Sequence, residues 1–304
     1  MAIVPCHNEA GAIAKVITDL RTAVPDLTIY VYDNASTDGT DDVARAAGAC
    51  VRYEALKGKG NVVRRAMADL DADVYLLIDG DDTYDAAAAP AMIEALLTGP
   101  YDQVTGVRTQ LTDSAYRAGH ELGNKTFNSV VSRIFGYPVN DMLSGYRVFS
   151  RRFVKSFPAV STEFEIETEL TVHAINARLP QAEVAVGFKD RAEGTESKLR
   201  TYHDGIRILT MIVKLVRLER PMAVHAAFAG VLFALGIVLG IPVVVDYVQT
   251  GLVPRLPTAV LASSLILLSV LALMIGIILG GLRTVRQENI RIAYLALSAP
   301  GAQR

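Results

Sequence analysis

The chain has 304 residues, of which 51% are hydrophobic and 20% charged, and its formal net charge at pH 7 is −2. This composition excludes an intrinsically disordered chain, and the near-zero net charge predicts no nucleic-acid partner. The two cysteines, Cys6 and Cys50, are too few for a secreted disulfide scaffold or a structural zinc site. The apolar content is high for a fully soluble enzyme.

The first two hundred residues alternate between strand-like and helix-like segments. In chain order the pattern predicts strands at 2–4, 27–33 and 74–78, and helices at 10–23, 41–47, 60–70 and 86–97. Pro5 is expected to end the first strand. Strand–helix–strand repetition predicts an α/β domain with a mostly parallel sheet and right-handed crossovers. Ligands bind at the carboxyl ends of the strands in such sheets, so we expect the site there.

A block of carboxylates is the strongest chemical signal. Seven aspartates lie between positions 69 and 85, and Asp79 and Asp81 directly follow a predicted apolar strand. Close carboxylates that all ionise need a cation between them, and oxygen ligands suit Mg²⁺ or Mn²⁺. We therefore expect Asp79 and Asp81 to bind a metal ion together with a diphosphate. A solvated acidic loop is the alternative.

Two further motifs indicate a nucleotide. Asp33 begins the motif DNASTDGT at the end of the second predicted strand, where its carboxylate can accept a hydrogen bond from a nucleobase N–H. The loop KGKGN at 57–61 precedes a predicted helix, and Lys59 together with the helix N-terminus favours phosphate. Each motif alone is also compatible with an ordinary turn.

Two apolar runs, 222–245 and 258–282, follow this domain, and only Asp246 and Arg255 carry a formal charge between Met222 and Leu282. Each run is longer than the roughly 18 residues of a transmembrane candidate, so together they predict a membrane hairpin. Basic residues outside the pair predict that both flanks face the cytoplasm. Two buried core helices are the alternative.

The predicted organisation therefore has four parts. Residues 1–200 form a cytoplasmic α/β domain, and 201–221 form an amphipathic helix along the membrane surface. Residues 222–282 form the two transmembrane helices, and 283–304 form a cytoplasmic tail. A plain surface helix is the alternative for 201–221. The N-terminus lacks the pattern of a signal peptide, so we expect a multi-pass protein of the cell membrane.

Seven motifs occur in a fixed order: PCHNE, DNASTDGT, KGKGN, DGDD, DMLSGYRVF, FEIETEL and RAEGTESKL. This ordered set resembles the inverting family 2 glycosyltransferases of the GT-A fold. It is most similar to their polyprenyl-phosphate branch, which includes dolichyl-phosphate mannose and glucose synthases. The resemblance covers about residues 1–200, and a C-terminal two-helix membrane hairpin also suits that branch.

The resemblance implies the reaction and its partners. A hexose would pass, with inversion, from a UDP- or GDP-sugar to an undecaprenyl or dolichyl phosphate at the cytoplasmic membrane face. Mg²⁺ or Mn²⁺ would be the cofactor, and a homo-oligomer is left open. A lipid monophosphate is mostly dianionic at pH 7, so it is already a nucleophile and needs no strong general base.

The resemblance also implies roles residue by residue. The residues that would hold the nucleotide sugar are Pro5, Asn8, Glu9, Asp33, Lys59, Asp79 and Glu169, with Glu169 lining the sugar pocket. The residues that would hold the metal are Asp79 and Asp81. Those that would bind phosphate on the acceptor side are Arg133, Arg147, Arg191, Ser197 and Lys198. Asp81, Asp141 and Arg147 are the expected catalytic residues, with Asp141 orienting the acceptor or stabilising the sugar cation.

The sequence departs from the family pattern at Asn34, which stands where a second Asp is usual, and at 82–85, which replaces the more frequent run ending in Pro. Two alternative functions remain open. One is a membrane-bound family 2 glycosyltransferase that acts on a lipid or glycan hydroxyl. The other is a membrane protein that binds a nucleotide sugar without turnover. A processive polysaccharide synthase is disfavoured, because the sequence contains no Trp and a single apolar hairpin.

Overall fold

The computed structural model describes residues 1–110, 139–159, 165–189 and 220–300, together with Thr210, Val213 and Arg217. The chain forms two compact units. The first comprises Met1–Gly205 and Asn289–Arg304, and the second comprises Ile206–Glu288. The amphipathic helix predicted at 201–221 lies almost entirely outside the described residues.

The described part of the first unit alternates strands and helices, as the sequence predicts. Its strands are β1 (Ala2–Cys6), β2 (Ile29–Asp33), β3 (Cys50–Tyr53), β4 (Val74–Leu77), β5 (Gln103–Gln110), β6 (Arg147–Ser150) and β7 (Gln181–Phe188). Its helices are α1 (Ile13–Ala23), α2 (Thr40–Ala46), α3 (Lys59–Asp69), α4 (Ala89–Thr98), α5 (Arg151–Ser156) and α6 (Ile166–Asn176). A 3₁₀ turn at Ala86–Ala88 leads into α4.

The described strands form one sheet in the order β3-β2-β1-β4-β6-β5-β7. Only β6 is antiparallel to its neighbours among the described strands, and the other pairings are parallel. This confirms the mostly parallel α/β sheet. Because β6 runs the other way, its first residue, Arg147, lies at the edge where the parallel strands end. The residues just before β6 therefore join the carboxyl ends of β1, β2 and β4 at one edge.

Helices cover both faces of the sheet, since successive strand residues point to opposite faces. Ala2 and Val4 of β1 pack with α1 and α4, whereas Ile3 packs with α3, α5 and α6. Leu20 of α1 and Phe153 of α5 are fully buried in the two layers. Each such side chain contributes about 1.5–3 kcal/mol by leaving water, so the two layers hold the strand ends in place.

The prediction that Pro5 ends the first strand was wrong. β1 continues to Cys6, and Pro5 pairs in register with Tyr32 of β2. The carbonyl of Ile3 bonds to Ile78 on the β4 side, and pairing with β4 extends no further than Ile3. Pro5 shares the side of Ile3, so its missing N–H falls where no partner strand requires it.

The second unit contains two long apolar helices, α7 (Pro221–Thr250) and most of α8 (Leu256–Leu295). Both are long and apolar enough to cross a membrane. They approach closely at glycines: a Cβ at Gly236 would lie 2.8 Å from Ile266 Cγ1, and one at Gly276 would lie 2.8 Å from His225 Cβ. Small residues at helix contacts are typical of membrane bundles.

The structure describes most of the segment predicted as a cytoplasmic tail at 283–304, and that placement stays a prediction. The helix α8 continues through the charged residues after 282 to Leu295, and from Asn289 the chain belongs to the first unit. There the Tyr294 hydroxyl donates to Asp102 Oδ2 at 2.8 Å, and the Arg152 guanidinium stacks on the Tyr294 ring at 4.6 Å. The described part of this segment is therefore folded against the sheet.

Candidate active site

The ends of β1 and β2 form one wall of the site. Asn8 accepts a hydrogen bond from Thr37 N through Oδ1 at 2.8 Å, and its own N–H donates to Ser36 Oγ at 2.9 Å. Glu9 N donates to Thr40 Oγ1 at 2.8 Å. The motifs PCHNE and DNASTDGT are thereby joined into one surface, which also contains Pro5 at the end of β1.

Asp33, the last residue of β2, is buried at the base of this wall. Its Oδ2 accepts from Ser36 N at 3.3 Å, whereas its Oδ1 is buried and has no hydrogen-bond partner among the residues that the structure describes. A buried acceptor of this kind costs free energy unless a ligand supplies the donor. Burial raises the pKa of the neighbouring Cys6 thiol, and Glu9, Asp33 and Asp79 raise it further. These three carboxylates therefore lie around one point.

Asn34 uses its amide in a way that an aspartate could not. Its Nδ2 donates to the carbonyls of Glu54 at 2.9 Å and Leu56 at 2.8 Å. Its Oδ1 accepts from Gly58 N at 2.7 Å. The side chain thus ties the end of β2 to the loop KGKGN. The departure from the usual Asp has a structural reason here, because a carboxylate cannot donate.

A buried lysine links β4 to α6. The Lys59 ammonium forms ion pairs with Asp79 Oδ1 and, at 2.5 Å, with Glu167 Oε1. Burial alone lowers the pKa of Lys59, but the charges of Asp79 and Glu167 outweigh it, and the pKa is raised. Within the described part of the chain, Glu167 Oε2 is buried and has no hydrogen-bond partner. The cluster holds two carboxylates and one ammonium, so one negative charge remains.

Glu167 is a site residue that the sequence analysis missed. Glu169 was the predicted residue of the sugar pocket. The FEIETEL segment enters the helix α6, and Glu167 is the residue of this helix that contacts Lys59. Glu169 is only half-buried. The helical period was the available signal, because it puts Glu167 on the same face as the buried residues Leu170 and Thr171.

Asp81 is held by the residues that follow it. Its Oδ1 accepts from Thr83 Oγ1 at 2.6 Å and from Thr83 N at 3.2 Å. Gly145 lies against the other carboxylate of the pair, since a Cβ there would be 2.5 Å from Asp79 Oδ2 and 2.8 Å from Lys59 Nζ. The glycine of DMLSGYR is thus required for the close approach of this loop to Asp79.

Asp141 is buried in a bidentate ion pair with Arg108. Arg108 Nε and Nη2 each contact a different Asp141 oxygen at 2.7 Å, and Arg108 N donates to Asp141 Oδ2 at 3.2 Å. Burial alone lowers the pKa of Arg108, but Asp141 outweighs it and the pKa is raised. A quarter of the Arg108 side chain remains exposed, over the Phe188 ring. Arg108 was not predicted as a site residue, because it lies within β5 and outside any of the recognised motifs.

Arg147 lies elsewhere than the sequence analysis expected, since it is fully buried. Its nitrogens donate to the carbonyls of Ser144 at 2.8 Å and Met142 at 2.6 Å, and to Thr171 Oγ1 at 2.8 Å. Burial lowers its pKa to about 10, although Glu167 and Asp141 oppose this. All three nitrogens bond to protein, which differs from the expected contact with an acceptor phosphate. The geometry favours a role in fixing the 141–147 loop.

The described residues contain no group of three or more His, Cys, Asp or Glu that could hold a metal. Asp79 and Asp81 nevertheless suit a magnesium or manganese ion, which takes one or two carboxylates and completes its shell with substrate phosphates. Arg133, Arg191, Ser197 and Lys198 lie outside the described residues, so their predicted contacts with phosphate remain predictions.

Comparisons with known proteins agree with this geometry. The model of the family described as glycosyl transferase family 2 matches residues 1–157. Glycosyltransferase AglJ of Haloferax volcanii is 31% identical over 291 residues, which cover 95% of each chain. A dolichyl-phosphate hexose transferase of the same organism is 28% identical over 214 residues, covering 70% of this chain and 92% of its own.

A solved structure is similar in fold. It is glucosyl-3-phosphoglycerate synthase from Mycobacterium tuberculosis in complex with Mn²⁺, UDP and glucosyl-3-phosphoglycerate. The TM-score is 0.55 at 23% identity, and the match covers 71% of this chain and 77% of the other. The predicted GT-A architecture is confirmed by this likeness, together with the sheet described above.

Proposed function

The chain belongs to glycosyl transferase family 2, and from the charges of its site we propose that it transfers a hexose from a nucleoside-diphosphate sugar to a polyprenyl phosphate. An acceptor phosphate oxygen attacks the anomeric carbon and forms the new C–O bond. The bond from that carbon to the donor diphosphate breaks, and the nucleoside diphosphate leaves with the electron pair. Attack opposite the leaving group inverts the anomeric configuration.

The Asp141–Arg108 pair is the observation that carries this proposal. A hydroxyl acceptor needs a general base with a free lone pair directed at its proton. Asp141 has both oxygens engaged by Arg108 at 2.7 Å, so it is poorly suited to that task. A phosphate dianion needs no base, but it needs a cation with bidentate geometry. The partly exposed guanidinium of Arg108 supplies one.

The nucleotide side supports a donor with a base N–H and a diphosphate. The partnerless Oδ1 of Asp33 suits a base N–H, and Lys59 lies beside Asp79 at the start of α3. UDP and GDP both offer such an N–H, so the base stays open. When bound at Asp79 and Asp81, a divalent cation would neutralise the diphosphate and stabilise it as the leaving group. The unpartnered Oε2 of Glu167 adds an acceptor suited to a sugar hydroxyl.

The chain's path supports a membrane acceptor. Residues on both sides of the two apolar helices belong to the same folded unit, and Tyr294 contacts Asp102 across 192 residues of sequence. Two spans that start and end in one unit return the chain to the side where it began. Together with the flanking cations, this supports a cytoplasmic active site. The similarity to a dolichyl-phosphate hexose transferase supports the same class of acceptor.

The experiment is a donor panel with the full chain purified in detergent. Undecaprenyl phosphate and MnCl₂ or MgCl₂ are added with radiolabelled UDP-glucose, GDP-mannose or UDP-N-acetylglucosamine, one at a time. We expect label from one donor to enter the organic-extractable lipid. A chelator and the Asp81→Ala variant should both abolish it.

The matched control is Asp71→Ala, which removes an exposed carboxylate that pairs with Arg151 on the surface. It should retain the activity of the unchanged chain. Donor binding without label in any lipid would contradict the phosphate acceptor. Label in an added lipid alcohol would favour the hydroxyl-transferring alternative instead.

A further inference from the structure

The last aspartate of the DGDD motif is paired with two lysines from distant elements. Asp82 Oδ2 contacts Lys189 Nζ at 2.6 Å, and Asp82 Oδ1 contacts Lys15 Nζ at 3.2 Å. Lys15 belongs to α1, whereas Lys189 directly follows β7. Asp82 itself has a left-handed backbone with a φ of 57°. The Asp82 carboxylate is therefore held between the helix α1 and the residue that follows β7.

Lys189 is joined to the same loop through the backbone. Its N–H donates to the carbonyl of Thr83 at 2.9 Å, and Asp85 N donates to the carbonyl of Gly187 at 3.0 Å. Tyr84 bridges to Phe188, and their rings meet edge to face at 5.1 Å. The loop after the proposed metal-binding aspartates is thus hydrogen-bonded along the end of β7. Lys15 makes only its side-chain contact with this loop.

These hydrogen bonds between the loop and β7 are connected to Asp81 through Thr83. Thr83 accepts from Lys189 N with its carbonyl and donates to Asp81 Oδ1 with its N–H and its hydroxyl. Any shift of the Thr83 backbone would therefore turn the Asp81 carboxylate. The Lys189 side chain, by neutralising Asp82, keeps the two segments together. Nothing in the Lys15 contact has this connection to Asp81.

We propose that Lys189 is a positioning residue for the donor site: through Asp82 and Thr83 it sets the orientation of Asp81 toward the metal–diphosphate. This inference rests on the proposed function of Asp81 as a metal ligand. It makes Lys189 differ from Lys15, although both lysines neutralise the same carboxylate.

The test compares three variants of the full chain in detergent: Lys189→Met, Lys189→Arg and Lys15→Met. Binding of UDP and of GDP, each with MnCl₂, is measured by titration calorimetry without acceptor or sugar. One of the two nucleotides is expected to bind to the unchanged chain. We expect Lys189→Met to weaken that binding by about tenfold, because displacing the charged Asp81 ligand costs about 1.5 kcal/mol. Lys15→Met should stay within about twofold, because its ion pair with Asp82 is longer and more exposed than that of Lys189, and exposed pairs contribute little. Lys189→Arg should restore most of the affinity.

Steady-state kinetics give the second readout. If Lys189 only stabilised the fold, Lys189→Met would lower the unfolding temperature and the amount of active protein, and the donor KM would be unchanged. We expect a raised donor KM with an unchanged acceptor KM. Equal effects of Lys189→Met and Lys15→Met, or no nucleotide binding by the unchanged chain, would overturn the proposal. Nucleotide binding is measured without acceptor. The calorimetric comparison therefore tests Lys189 even if transfer to polyprenyl phosphate fails.

Discussion

The two sides of the site carry opposite charge balances. The proposed nucleotide side holds the carboxylates Asp33, Asp79, Asp81 and Glu167, and Lys59 pairs with Asp79 and Glu167. On the acceptor side, the single carboxylate of Asp141 lies close to Arg108 and within the electrostatic reach of Arg147. The first side therefore needs added positive charge, which a divalent cation supplies. The second can receive an anion. An enzyme that brings two phosphate-bearing substrates together needs both arrangements.

The acceptor side also separates two arginines by what surrounds them. Arg147 is fully buried and its nitrogens donate to Met142, Ser144 and Thr171. Arg108 is partly exposed, and its guanidinium donates to both oxygens of Asp141. The buried arginine shapes the loop, and the exposed one can exchange a carboxylate for a phosphate. The predictions below test this division, from the largest expected effect to the smallest.

The largest effect is expected on the nucleotide side. Asp79→Asn removes a charge that pairs with Lys59 and that we propose as a metal ligand, so kcat should fall about a hundredfold or more, as when one preorganised electrostatic group is lost. The measurement is steady-state transfer with saturating metal. Asp71→Asn is the matched control, because Asp71 is 61% exposed and pairs with Arg151 at the surface. If both variants kept full activity, the proposed role of Asp79 would be wrong.

The acceptor side should respond through KM for the acceptor. Arg108→Met removes the exposed guanidinium, and we expect the KM for polyprenyl phosphate to rise about ten- to a hundredfold, the range for a lost charge-assisted bond. The donor KM should change little. Arg65→Met is the control, since Arg65 is exposed and pairs with Asp69. A raised donor KM with an unchanged acceptor KM would contradict the assignment of Arg108 to the acceptor side.

Much of the fold and of the proposed nucleotide side could be predicted from the sequence, because Asp33 ends a strand, and Asp79 and Asp81 follow one, whose apolar pattern is local. Lys59 was also found, from the glycine-rich loop before α3. The acceptor side was harder. Whether a guanidinium is buried, as in Arg147, or exposed, as in Arg108, depends on which carbonyls the folded loop turns inward. The hydrogen bond from Arg147 to Thr171 of α6 joins two segments that are distant in the sequence, so neither segment alone predicts it.

Asn34 tests whether the departure from the usual Asp is structural. Asn34→Asp loses both donors to the carbonyls of Glu54 and Leu56 and brings a second charge beside Asp33. We expect the free energy of unfolding to fall by about 2 kcal/mol, because two buried acceptors are left unpaired. Chemical denaturation in detergent measures it. Asn289→Asp is the control, since Asn289 is exposed. An unchanged stability would contradict the structural reason given for Asn34.

The smallest effect is expected at the C-terminal segment. Tyr294→Phe removes the hydroxyl that donates to the buried Asp102 but keeps the ring on which Arg152 stacks. Burial, together with Asp102, raises the pKa of Tyr294 to about 12, so the hydroxyl remains a donor at neutral pH. We expect a loss of about 1.5 kcal/mol of stability with kcat unchanged. Tyr53→Phe, at a side chain that is mostly exposed, should cost less than about 0.5 kcal/mol.

The division between the two sides is tested most directly by offering both acceptor classes to one preparation. The full chain is given its labelled donor with equal amounts of undecaprenyl phosphate and undecaprenol, and the two lipid products are separated. The account predicts label on the phosphate alone, and loss of that product in Arg108→Met. Label on the alcohol, at a rate that Arg108→Met leaves unchanged, would contradict it.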